Sequence, residues 1–460
     1  MNNVILQNFR NIADSKPIEL KPLTFFVGEN GAGKSSFLRL FPLLKQSINE
    51  PKRGPLLWYT ENGVDFGDFK TTVMKGESKI GIGFDICVKR PKDKILLSIF
   101  MSIESEKIDE QYDFISSLKI QYKDVDINIE YHQSNASVSI NGVDVGSFPY
   151  VMLSYGLFPN VFCDGFEEEE KMIKEYGEKL VANKVVDYRS PYDYLFASFG
   201  EFKSVLQKVE PELDFKTLFA KLVCMNLSEM QNSIWNTLSY EMRDLIYIGP
   251  FRNSPQRYYR LQNKSTRMID MYGSNMAVFV KAMSKDQLQD LNHKLKVQYG
   301  FELDYESKFG QVSLFIKKDK KKTNLIDNGY GYSQLMPLLL AINAFNQRTI
   351  IPYNKYTDLI CIEQPELHLH PKMQVFFGST LVNSVINNRK YKNGDKFILI
   401  ETHSRQIIET AGKAIYEKQI KPDEVAVYLF EQGKDNKASI RRTEFDKEGY
   451  LMNWPIGFLD

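Results

Sequence analysis

The residues Gly28-Glu29-Asn30-Gly31-Ala32-Gly33-Lys34-Ser35 fit the pattern G-x-x-x-x-G-K-[ST] without a gap. In such a loop the glycines let backbone N–H groups turn inward toward β- and γ-phosphates. Lys34 supplies a point charge, and the hydroxyl of Ser35 can coordinate Mg²⁺. The flanks suit this chemistry. Leu23-Thr24-Phe25-Phe26-Val27 predicts a buried strand entering the loop, and Ser35-Ser36-Phe37-Leu38-Arg39-Leu40-Phe41 predicts a helix leaving it. That helix N-terminus adds its partial positive charge to the cradle. A plain glycine turn does not demand both flanks, so the expectation is a nucleoside triphosphate held by Asn30, Gly31, Ala32, Gly33, Lys34, Ser35 and Ser36.

The acids for such a site stand far along the chain. Leu359-Ile360-Cys361-Ile362-Glu363 is an apolar strand ending in a carboxylate, where a phosphate-loop protein needs an acid to hold Mg²⁺ opposite Ser35. Gln364, Pro365 and Glu366 continue it, followed by His368 and His370. Those two histidines lack a third ligand at zinc spacing, so a turn is expected rather than a metal pair. Phe397-Ile398-Leu399-Ile400-Glu401 predicts another buried strand, with Thr402-His403-Ser404 at the end where open α/β sheets bind ligands. The glycine-rich turn at 327–334 precedes an apolar helix predicted to start at Leu335, with Pro337 in its first turn. Ser333 at that helix start is a second possible anion contact.

Composition limits the class. With 43% hydrophobic and 25% charged residues among 460, the chain is expected to be soluble, with a core large enough for two or three packing units. A net charge of +1 gives no whole-molecule attraction for nucleic acid. The N-terminal residues show no signal-peptide pattern, and Cys87, Cys163, Cys224 and Cys361 lie far apart, so reduced thiols and a cytoplasmic location are expected.

The chain in order suggests three parts: 1–150, with the phosphate loop and an antiparallel β lobe; 151–243, an inserted helical lobe; and 244–460, which returns to the nucleotide module. In the first, β-type runs at 80–88, 95–103, 117–122, 127–131 and 137–140 lead to the hairpin turn Asn141-Gly142. Glu167-Glu168-Glu169-Glu170 suits a solvated first helical turn. The basic run at 317–322 suits a solvated hairpin tip rather than a DNA contact. Arg10 is read equally as a solvated loop arginine or a nucleotide contact. Arg252, Arg257 and Arg260 alternate with aromatics, a pattern open to a nucleic-acid surface, a subunit contact or a self-stacked loop.

Together these motifs resemble an ABC-type ATPase head of the SMC and RecF-like branch, an α/β fold. The resemblance takes Gly331-Tyr332-Ser333-Gln334 as a divergent signature motif, Glu363 as the Walker B acid and His403 as the switch histidine. The runs at 363–371 and 401–404, with the terminal Trp454-Pro455-Ile456-Gly457-Phe458, narrow it to OLD-like bacterial ATPases, closest in layout to the PtuA-like ATPases of Septu antiphage systems. It implies ATP and Mg²⁺ as ligands and a homo-oligomer whose facing heads sandwich ATP, with Ser333 capping the γ-phosphate in trans. It also implies a partner nuclease of HNH type; the chain itself carries no H-N-H pattern. A RecF- or SMC-like DNA-clamping ATPase is the alternative. The chain departs from the transporter pattern at Gln364, which stands where a second acid orients the attacking water. An amide is no general base at neutral pH, so either Glu366 substitutes or turnover is slow, the latter being favoured. No Q-loop glutamine is found; the turn Phe66-Gly67-Asp68-Phe69 has the right position without one.

Overall fold

The computed structural model describes residues 2–89, 94–105, 113–151, 160–161, 214–261, 268–347, 358–391 and 396–454. The acidic run at 167–170 and Pro455, Ile456, Gly457 and Phe458 lie outside the described residues. The chain forms two compact units. One holds residues 1–18, 43–60 and 65–243, and the other 19–42, 61–64 and 244–460.

The first unit is built on an antiparallel sheet. Strands Lys79–Lys89, Lys94–Ser105, Asp113–Tyr122, Val125–Tyr131, Asn135–Ile140 and Val143–Val151 follow one another as a meander, and Asn3–Phe9 joins the far edge beside Lys79–Lys89. Alternation sets the faces. Along Val125–Tyr131 every second residue is buried, from Val125 through Ile127 and Ile129 to Tyr131. The turn Asn141-Gly142 has φ of 50° and 77°, the conformation that two-residue hairpins favour because it matches strand twist. Helices Phe215–Met225 and Leu227–Arg243 belong to this unit, and Gln231 ties the second to the sheet. Its amide donates to the Tyr131 hydroxyl at 3.0 Å and accepts from the Val161 N–H at 3.2 Å. The positional substitute for a Q-loop is a helix cap: Asp68 accepts from the Thr71 N–H ahead of helix Phe69–Thr72.

One carboxyl in this unit makes stability depend on pH. Asp113 accepts from the Trp58 indole at 3.0 Å, and burial raises it to about 6. An unfolded aspartate titrates near ~3.9, so the unfolded chain gives up this proton first and stability falls as pH rises from about 4 through 6. Asp113→Asn keeps an acceptor for Trp58 and removes the charge. It is expected to gain about 2 kcal/mol near neutral pH and almost nothing at about pH 4, as urea denaturation at the two pH values will show.

The second unit holds a six-stranded sheet in the order Ile246–Ile248, Asp358–Glu363, Lys396–Glu401, Leu23–Gly28, Val425–Gln432, Ala438–Thr443. All neighbours pair in parallel except the last two. Asp358–Glu363 is buried at all but its first residue, and Lys396–Glu401 and Leu23–Gly28 throughout, as expected of parallel strands covered on both faces. Their apolar side chains, Phe25, Val27, Ile360, Ile362, Ile398 and Ile400 among them, share one core with helix Tyr330–Gln347. A smaller sheet in this unit pairs Gln311–Lys318 with Glu302–Lys308 and Lys321–Asn324. The basic run at its tip is a hairpin whose lysines pair with acids of the same sheet, Lys317 and Lys322 with Asp304 and Lys322 with Glu306.

The apolar helix begins at Tyr330 rather than Leu335, which moves Pro337 from the first turn into the helix interior. Lacking an N–H, Pro337 leaves the carbonyl of Ser333 without its usual helical donor. The ring lies where a Cβ on Gly273 would come within 2.7 Å of it. Among the described residues no helix is long and apolar enough to cross a membrane, and Cys87, Cys224 and Cys361 are free thiols.

Candidate nucleotide site

The phosphate loop follows strand Leu23–Gly28, and its shape depends on two glycines. Gly28 has φ of 141°, and a Cβ there would sit 1.9 Å from the Phe430 carbonyl oxygen of the adjoining strand. Gly33 has φ of 99° and caps helix Lys34–Leu38. The helix is shorter than predicted: Arg39 caps its end, and a second helix starts at Leu40. Its opening N–H groups have no acceptor inside the helix. Glu29 holds the loop to the neighbouring strand, its N–H donating to Phe430 O at 3.0 Å and its carboxylate accepting from the Gln432 N–H at 3.1 Å. Asn30 and Gly31 form the exposed rim, with Ala32 and Ser36 buried beneath. Gly28→Ala is expected to cost more than about 3 kcal/mol, because strand pairing must open to admit the methyl. Chemical denaturation of the variant measures it.

Lys34 is buried, and its ammonium donates to the carbonyls of Gly28 at 2.9 Å and Glu29 at 2.6 Å. Burial pulls its pKa below the usual lysine range, against the attraction of Glu401, Glu366 and Glu29. Ser35 does not reach Glu363. Its hydroxyl donates instead to Glu401 Oε1 at 2.8 Å. Glu401 ends the strand between those of Gly28 and Glu363, in register with Glu363. Glu401 is 2% exposed, and its Oε2 has no hydrogen-bond partner among the described residues. Burial raises it to about 7, the charge of Glu363 adding to the rise while Ser35 and Lys34 oppose it.

Glu363 is fully engaged by its own unit. Arg39 grips it in bidentate fashion, Nε to Oε1 at 2.8 Å and Nη2 to Oε2 at 2.7 Å, and the Tyr247 hydroxyl donates to Oε1 at 2.7 Å. Burial pulls the Arg39 guanidinium down, and the pairing with Glu363 more than offsets it. The Tyr247 phenol is pushed up by burial and by the same carboxylate.

The loops beyond these strands interlock. Gln364 has φ of 40°, and its N–H donates to the Glu401 carbonyl at 2.8 Å. Glu366 accepts from the Thr402 hydroxyl and the His403 N–H, each at 2.7 Å. Burial raises its carboxyl, and those bonds oppose the rise. His403 is exposed, its imidazole held below the usual histidine range by partial burial and by the charge of Lys34. His368 and His370 are exposed, His368 packing its ring against Tyr330 with centroids 4.7 Å apart. Among the described residues no cluster of three metal-binding side chains occurs.

Ser333 is 1% exposed, and its hydroxyl donates to the Tyr330 carbonyl at 2.6 Å, so Tyr330 supplies the exposed part of that turn. Arg10 belongs to the first unit, where its guanidinium lies 4.7 Å from the centre of the Phe66 ring. The three arginines do not form one surface. Arg252 is buried, donating to Gln334 Oε1 at 3.3 Å and to the Gln364 carbonyl at 3.0 Å, and burial lowers it to about 10. Arg257 is an exposed bidentate partner of Asp327, and Arg260 is an exposed strand residue. Arg39, Tyr247 and Glu401 were missed. For Glu401 the signal existed, because two apolar strands each end in glutamate.

A parallel sheet with a G-x-x-x-x-G-K-S loop on one strand and buried acids ending the next two defines the class: a phosphate-loop nucleotide-binding head. The AAA ATPase domain model matches residues 1–408, and the chain belongs to that family of ATPases. A stretch of 124 residues is 27% identical to Endonuclease GajA of Bacillus cereus (strain HuB5-5), covering 26% of this chain. The chain thus spans only 18% of the length of that relative. Among solved structures, the SMC head domain from Thermotoga maritima aligns at 11% identity and TM-score 0.36, over 96% of this chain and 97% of that one. The ATP-bound recombination mediator RecF aligns at 11% identity and TM-score 0.31, over 96% and 98%.

Proposed function

We propose that this protein is the ATPase subunit of a bacterial antiphage defence complex acting in the cytoplasm. ATP binds between facing copies and controls both their assembly and the activity of a partner nuclease of HNH type, as in PtuA-like systems. The observation that carries the nucleotide reading is the phosphate loop, with the buried Lys34 ammonium and the Ser35 hydroxyl beside a strand-end carboxylate. The defence reading rests on the resemblance of the runs at 363–371 and 401–404, and gains support from the stretch shared with an endonuclease.

In this reading Asn30 to Ser36 surround the phosphates, Lys34 neutralises charge on them, and Ser35 and Glu363 hold Mg²⁺ and its water shell. The surroundings fit the ion: the Ser35 hydroxyl meets the strand-end carboxylate of Glu401, whose Oε2 has no hydrogen-bond donor among the described residues. Bound Mg²⁺ would supply charge neutralisation on the β- and γ-phosphates. Ser333 of the facing copy caps the γ-phosphate after leaving the Tyr330 carbonyl. Glu366 already accepts from Thr402 and His403, and both bonds weaken once it takes a proton as general base. That favours slow turnover, with Gln364 holding water and ATP acting mainly as an assembly ligand.

Native mass spectrometry of the protein purified from its host with ATP and Mg²⁺ tests the proposal. A multimer carrying a small second protein with nuclease activity is expected. A bare ATP-induced dimer that retains duplex DNA, with binding that weakens steeply in salt, would replace it with a DNA-clamping ATPase.

A further inference from the structure

We propose that Glu401, not Glu363 alone, presents the carboxylate oxygen that faces the Mg²⁺ water shell, and that Glu363 chiefly anchors Arg39 and Tyr247. This deepens the nucleotide reading above and rests on it.

The two acids differ in how many donors their oxygens already hold. Oε1 of Glu363 already takes two donors, from Arg39 Nε and the Tyr247 hydroxyl, and Oε2 takes Arg39 Nη2. The acid is 1% exposed, and three donors already occupy its two oxygens. Glu401 is as deeply buried, at 2% exposed, but its carboxylate takes a single donor among the described residues. Its Oε2 is buried without a partner among the described residues, and a buried carboxylate oxygen in that condition is costly unless something later satisfies it. Its Oε1 holds the phosphate-loop hydroxyl of Ser35, the hydroxyl that a Mg²⁺ ion at this loop must use.

The strand order explains the placement. Lys396–Glu401 lies directly beside the phosphate-loop strand, whereas Asp358–Glu363 is one strand further out. Parallel neighbours are about 4.8 Å apart, so Glu401 stands nearer the loop by one strand spacing. Lys34 and Arg39 set two cations against the two acids. These four groups balance without nucleotide, so a divalent ion enters together with the phosphate charge it offsets.

The test compares wild type, Glu401→Gln, Glu401→Asp and Glu363→Gln. Mn²⁺ binding to the protein–ADP complex is followed by electron paramagnetic resonance, and metal-free ADP affinity is measured by calorimetry in EDTA. Gln keeps an acceptor for Ser35 but places an amide donor at the open position. Glu401→Gln is expected to weaken Mn²⁺ binding by about 10–100-fold while metal-free ADP affinity holds. Glu401→Asp, which retains the charge, is expected to recover part of the loss. Thermal unfolding of each variant separates this from misfolding. Wild-type Mn²⁺ affinity in Glu401→Gln, or a loss confined to Glu363→Gln, overturns the inference and leaves the nucleotide site standing. Failure of the wild type to bind ADP at all overturns the nucleotide reading itself.

Discussion

Arg39→Ala is expected to cost about 3–5 kcal/mol of folding stability, the range for removing one partner of a buried ion pair. The magnitude follows from what remains behind. Glu363 would keep the Tyr247 hydroxyl at 2.7 Å and lose both guanidinium bonds. It would still stand in register with Glu401, another buried acid, on a strand hydrogen-bonded to its own. Two buried carboxylates would then act on each other with Lys34 as the remaining cation beside Glu401. Adding Glu363→Gln should return much of the lost stability, because the uncompensated charge is then gone. A double-mutant cycle by urea denaturation gives both values. A loss under about 1 kcal/mol in the single variant would mean that the pair behaves as a surface salt bridge.

Lys34→Ala is expected to weaken ATP binding by at least about 100-fold, near 2.7 kcal/mol, within the range for a charge-assisted hydrogen bond to phosphate. The ammonium lies inside the loop, fixed by the carbonyls of Gly28 and Glu29. It is therefore positioned before ligand arrives, and little ordering cost offsets its attraction for the phosphates. Lys34→Arg should not rescue binding, because a planar guanidinium cannot occupy a position shaped by two carbonyls around a compact ammonium. Calorimetric titration with ATP measures the loss, and the melting curve shows whether the fold persists. Binding at wild-type affinity in Lys34→Ala would remove the phosphates from this loop.

Legibility in the sequence tracked the range of the interactions. The phosphate loop is local chemistry, so its pattern and flanking elements were readable within a short window. The antiparallel lobe was readable because alternation repeats along each strand, as in Val125–Tyr131. Glu363 was legible as a strand-end acid because the residues before it are an apolar run. Its partners were not, since Arg39 and Tyr247 lie 324 and 116 residues away in sequence and no local pattern joins them. Arg252 misled for the same reason. Its aromatic neighbours suggest a surface, and Phe251 and Tyr258 are indeed exposed, but tertiary packing turns Arg252 inward to Gln334. The helix start was misplaced because a glycine-rich turn usually ends regular structure, whereas Gly331 is helical here.

The Glu366 carboxylate has a mechanical consequence. It fastens the turn after one strand to the turn after its neighbour, through the Thr402 hydroxyl and the His403 N–H. Gln364 adds a second fastening, from its N–H to the Glu401 carbonyl. The two turns are therefore a single bracket, not two independent fingers. A displacement of His403 toward a ligand must carry Glu366 with it or tear out both of its bonds. Whatever pulls on the histidine also pulls on the segment leading to Leu369 and Pro371, where helix Pro371–Tyr391 begins. The histidine end of the bracket and that helix thus answer to the same load.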